Sequence, residues 1–209
     1  MKKMVIPVQN EEEETRGTGE LDKEVKISLF FLLVSIFLWF MAYNGITTAF
    51  SRYAIAVWDM DAGQVAGSLM LATIAAIITY IPSGFLGTKI GRRKAILLGI
   101  CLVSATYLLG IILTAFSALV YLSFAIMGVG WAFINVNSLP MIVEMIHVSD
   151  VGKYTGMYYT ASMAAQIVTP ILSGFLMELL GFGALFPYTL LFSILSLLTM
   201  ILVRHGDSS

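Results

Sequence analysis

Long uncharged apolar runs, broken by short polar clusters, set the order of this chain. No Asp, Glu, Lys or Arg occurs from Ile27 to Phe50, or from Gln64 to Gly87. After Ala95 the next charge is Glu144, an interval too long for one helix. A bilayer crossing takes about 20 apolar residues, so that interval predicts two spans, with a break near Ala115 to Ala118. A fifth span is expected over Tyr154 to Leu179 and a sixth over Ala184 to Val203, parted by Gly181-Phe182-Gly183. The expectation is an all-α membrane protein with six transmembrane helices over residues 27–204. Residues 1–26, with the acidic run Glu11 to Glu14, read as a disordered cytoplasmic tail too hydrophilic to bury. Residues 205–209 read as a cytoplasmic C-terminus.

Charge orients the spans. Lys89, Arg92, Arg93 and Lys94 crowd the turn between the second and third apolar runs, and such side chains are held on the cytoplasmic face. With the N-terminus on that face, the inner side collects Lys2, Lys3, Arg16, Lys23, Lys26, Lys89, Arg92, Arg93, Lys94, Lys153 and Arg204, and the outer side keeps Arg52. Both termini are therefore expected inside, in a plasma (inner) membrane. Arg52, Trp58, Asp59 and Asp61 form a polar and aromatic group suited to the outer interface.

Composition narrows the function classes. Charged residues make up 12% of the chain and hydrophobic ones 58%, against about 25% charged in soluble domains. No Cys/His group has metal-ligand spacing, no Gly-rich phosphate loop precedes Lys-Ser or Lys-Thr, and no nucleophile–base pair shares a face. No enzyme activity, cofactor or metal is expected. The basic loop is too short and too close to the bilayer for nucleic acid. Cys101, the single cysteine, reads as a small apolar side chain.

An internal repeat gives the strongest architectural signal. Thr79-Tyr80-Ile81-Pro82-Ser83-Gly84-Phe85-Leu86 aligns with Thr169-Pro170-Ile171-Leu172-Ser173-Gly174-Phe175-Leu176, and Gly91 with Gly181. The same offset lays the first span on the fourth and the third on the sixth. The second span ends inside and the fifth outside, so the six helices form two inverted three-helix repeats, as transporters do.

Gly84 to Arg93 resembles the loop between helices two and three of the major facilitator superfamily, G-x-L-[AG]-D-[RK]-x-G-[RK]-[RK]. Gly84, Leu86, Gly87, Lys89, Gly91, Arg92 and Arg93 fit; Thr88 stands in the place of the Asp. Trp39 to Asn44 with Phe50 and Tyr53, Gly130 to Pro140, and Gly152 to Gly156 resemble the C-terminal half of transporters in the sucrose/proton symporter-like branch. The resemblance implies half of a twelve-helix fold, with a sugar or similar small polar solute as substrate. The other half would be a separate six-helix partner, a lost N-terminal half or a second copy of the chain.

That resemblance also implies that the first, second, fourth and fifth spans line the central cavity. Tyr43, Asn44, Asn135, Asn137 and Gln166 are the substrate-lining candidates, because amides offer both donors and acceptors to sugar hydroxyls. Helix–helix hydrogen bonding is the alternative for each, and for Gln166 it weighs more. Glu144, at the inner end of the fourth span, is expected to pair with Arg92 or Arg93 as an inner latch. No Asp, Glu, His or Lys lies mid-membrane, so a proton-coupling acid would have to belong to the missing half. A membrane interaction protein or inactive transporter fragment is the other functional reading.

Overall fold

A computed structural model describes residues 21–206, so the tail reading for residues 1–20 and the last three positions lie outside the described residues. Six long helices cross the molecule: α1 (Lys23–Trp58), α2 (Ala62–Ile90), α3 (Arg92–Ile112), α4 (Ala118–Glu144), α5 (Val151–Leu180) and α6 (Leu185–Leu202). Single 3-10 turns precede α5 (Val148–Asp150) and α6 (Phe182–Ala184). All six are long and apolar enough to span a membrane. The third–fourth break falls at residues 113–117, where the long uncharged interval required one. Helix α1 begins at Lys23, so the last residues expected in the tail belong to it.

The start of α2 has a local cause. A capping box starts α2: the Asp61 side chain accepts from the Gln64 backbone N–H (2.9 Å) and Gln64 Oε1 accepts from the Asp61 N–H (3.0 Å). Trp58 closes the last turn of α1. It is buried, and its indole Nε1–H donates to the Leu113 carbonyl (2.9 Å), tying the end of α1 to the end of α3. A buried indole N–H usually finds such an acceptor.

The repeat is visible in the backbone. Gly91 (φ 94°, ψ 139°) and Gly181 (φ 86°, ψ 167°) hold nearly the same conformation at matched positions, each ending the second helix of its repeat. Only glycine occupies that region without strain. Packing follows the same symmetry. Helix α1 packs on α5 and α6, α4 packs on α2 and α3, and α3 meets α6. The first helix of each repeat is thus held by the second and third helices of the other.

Burial separates the helices by role. In their most apolar stretches α4 is 56% buried, whereas α2 and α5 are 17% and 22% buried. Their outward faces are nonetheless apolar and matched through the repeat: Ile77 with Ile167, Ile81 with Ile171, Phe85 with Phe175, each more than half exposed. In water such stripes would be a liability; in hydrocarbon they are the expected surface.

Candidate functional site

The end of the bundle bearing Lys89, Arg92, Arg93 and Lys94 (the basic end) is tied together by the α2–α3 turn. Arg92 starts α3, where the helix dipole disfavours a cation, yet its Nε donates to Glu144 Oε1 at the C-terminal end of α4. Its Nη1 lies 3.4 Å from the Asn137 Oδ1 acceptor. Arg93 Nη2 donates to the Ile201 carbonyl (2.8 Å) in the last turn of α6. Two arginines on one helix therefore neutralise the negative ends of two others. Lys89 is exposed. Thr88 donates to its own helix at Phe85 O (2.8 Å).

Asn137 is fully buried between α4 and α2. Its Nδ2 donates to Phe133 O (2.9 Å) and to Ser83 O (3.3 Å) across the helix pair, and Ser83 Oγ donates to Ala132 O (3.3 Å). A Cβ on Gly87 would overlap the Asn137 amide, so this glycine in the last turns of α2, helical where the sequence suggested a loop, is what admits the side chain. Gly84 likewise faces α4, at Val136.

An open groove of about 410 Å³ lies between α1, α4 and the first half of α5, nearer the basic end. Asn135, Ser162 and Gln166 supply its amide and hydroxyl groups, Tyr158 and Tyr159 its phenols, and Phe40 an aromatic wall. Among the described residues no Asp, Glu, Lys, Arg or His lines it. Tyr158 is held by a 3.3 Å hydrogen bond between its hydroxyl and Ser138 Oγ, and Tyr159 stands edge-on to it (5.2 Å between ring centroids). Gln166 is exposed on α5, its Nε2 3.4 Å from the Ser162 carbonyl of its own helix.

Of the five amide and tyrosine candidates, Asn135 and Gln166 come together in this groove. Asn137 does not. Two residues along an α-helix turn through about 200°, so Asn135 and Asn137 face opposite sides of α4. Tyr43 stacks on Trp131 (3.7 Å, 7°), Trp131 in turn meeting Phe40 edge-on (5.2 Å). Asn44 donates to Phe40 O of its own helix (2.8 Å). These two stand beside the groove wall rather than in it. Tyr158, Tyr159 and Ser162 were missed by the sequence reading, although Tyr154, Tyr158, Ser162 and Gln166 recur every fourth position along α5.

The Major Facilitator Superfamily model matches residues 32–208, nearly all of the six-helix region. The chain belongs to the major facilitator superfamily. Six apolar helices and this membership make it an integral, multi-pass membrane protein of a family that transports small solutes. For a major facilitator protein the Gly84–Arg93 stretch, helical except at Gly91, then has a concrete local role. Its glycine admits Asn137, and its arginines hold the ends of α4 and α6.

Proposed function

We propose that this protein carries an uncharged, hydroxyl-rich solute, a sugar or a similar small polar molecule, across the plasma membrane by alternating access. The observation that carries the reading is the chemistry of the groove: two amides and a serine hydroxyl beside tyrosine and phenylalanine rings, with no ionised side chain among the described residues. Amides match sugar hydroxyls as donor and acceptor, and aromatic faces suit the apolar side of a pyranose. The resemblance to the sucrose/proton symporter-like branch supports the same class.

The six helices act as one half of a twelve-helix unit, completed by a second six-helix half or a second copy of the chain. The groove supports this, since the described helices do not enclose it. Among the described residues no carboxylate or histidine lines it, which favours placing any proton-coupling acid in the other half. The basic end is cytoplasmic, as the concentration of Lys and Arg there favours, and both termini lie on that side. Glu144 serves as the latch at that end, a role supported by its pairing with Arg92.

Reconstitution into liposomes with labelled sucrose, glucose and maltose tests the proposal. Uptake of one of them, weakened by Gln166→Ala, is the expected result. Uptake of none, by the chain alone or with a second half, would overturn the sugar reading and favour a non-transporting membrane partner.

A further inference from the structure

A second groove, of about 510 Å³, opens at the end opposite the basic one, between α1 and the last turns of α5. Arg52 and Glu178 line it, with Met177 and Phe182 as apolar walls and Gly174 leaving open space where a side chain would stand. Among the described residues neither Arg52 nor Glu178 forms an ion pair, although they share this groove. A cation and a carboxylate that line one groove without pairing leave room for a guest that satisfies both.

The approach to this groove is polar as well. Asn44, Thr47, Thr48, Ser51 and Arg52 recur at i, i+3, i+4, i+7 and i+8 along α1, a single helical stripe. Asn44 is half-buried and the other four are exposed. Thr48 returns its hydroxyl hydrogen to the Asn44 carbonyl (2.6 Å) and Thr47 to the Tyr43 carbonyl (3.3 Å), which leaves their oxygen lone pairs outward as acceptors. A stripe of this kind, ending in an arginine, is expensive against hydrocarbon and is expected to face water or a polar ligand.

We infer that the groove at Arg52 and Glu178 is a binding site for a small zwitterion, with its anionic oxygens on Arg52 and its ammonium on Glu178. The guanidinium offers forked N–H donors to a carboxylate or phosphate. The Glu178 carboxylate receives the ammonium, and the Phe182 ring adds a cation–π surface beside it. The volume lies within the usual range for small-ligand sites. Two sources carry this chemistry, a free amino acid and a zwitterionic lipid headgroup. The inference does not depend on what the groove at the basic end carries, or on transport.

The test uses the full chain in nanodiscs of phosphatidylglycerol, which lacks an ammonium. In one arm L-leucine is titrated and the rise in unfolding temperature is read. In the other, phosphatidylethanolamine is mixed into the lipid, and retention on the protein is read by native mass spectrometry after transfer to maltoside detergent. Binding of either probe is expected to fall about tenfold or more in Arg52→Gln and in Glu178→Gln. Isoamylamine and 4-methylpentanoate, which each keep one of leucine's two charges, should bind as weakly as leucine binds the single variants. Both side chains are exposed, so both variants are expected to keep the parent's gel-filtration profile and baseline unfolding temperature. Response to neither probe, or binding that survives either substitution, would overturn the inference. Leucine alone responding would assign the site to free solutes, and the lipid alone to a headgroup.

Discussion

Gly87 and Asn137 share one space: the Asn137 amide occupies the position a Cβ on residue 87 would need. The amide is not idle there. It bonds α2 at Ser83, its own helix at Phe133, and the Arg92 guanidinium that also holds Glu144. A helix glycine, a buried amide and a partly exposed ion pair thus form one connected unit at the basic end.

Gly87→Ala should therefore destabilise the bundle by about 1–3 kcal/mol, the usual range for overpacking. Thermal unfolding in detergent measures it. Asn137→Ala in the same background should recover part of the loss, since it removes the group that is struck. Strict additivity of the two changes would show that they do not meet.

The Arg92–Glu144 pair is partly exposed, 18% and 26% by side chain. Glu144→Gln should then cost no more than about 1 kcal/mol in stability. Its effect as a latch is read separately, by cysteine accessibility from each side of the membrane in an active transporter. An unchanged inward/outward balance would leave the pair as an internal tie and nothing more.

Gly91 and Gly181 make a matched experiment. Alanine at either position is forced into a backbone region it rarely adopts, at about 1–3 kcal/mol each. No neighbouring atom crowds Gly181, so its loss comes from backbone strain alone. Equal drops in unfolding temperature, relative to Ala controls within helices, would fit the symmetry; a neutral Gly181→Ala would contradict it.

Asn135 and Asn137 are two positions apart and should behave differently. Asn135→Ala and Gln166→Ala are expected to weaken solute binding about 2- to 10-fold, the value of one hydrogen bond, with stability nearly unchanged. Asn137→Ala should lower stability, because it leaves the Ser83 carbonyl without its cross-helix donor. Uptake kinetics and unfolding on the same three variants separate the two roles. Reversal of the pattern would move the site to the other face of α4.

Much of this molecule follows from the sequence by itself, for a physical reason. In a membrane, spans are selected by length and apolarity and turns by glycine and charge, all local properties. The six helices, the α3–α4 break and the inverted repeat are legible in that way. Tertiary structure decided what local pattern does not contain. It turned Asn137 inward and Asn135 outward, because facing depends on how α4 is rotated against α2 and α5. It buried Trp58 against Leu113, and it set Tyr158, Tyr159 and Ser162 beside Gln166 in one groove. In chains this uniformly apolar, hydrophobic periodicity carries little information about which face is buried, so contact between helices alone chooses the polar side chains left at an open surface.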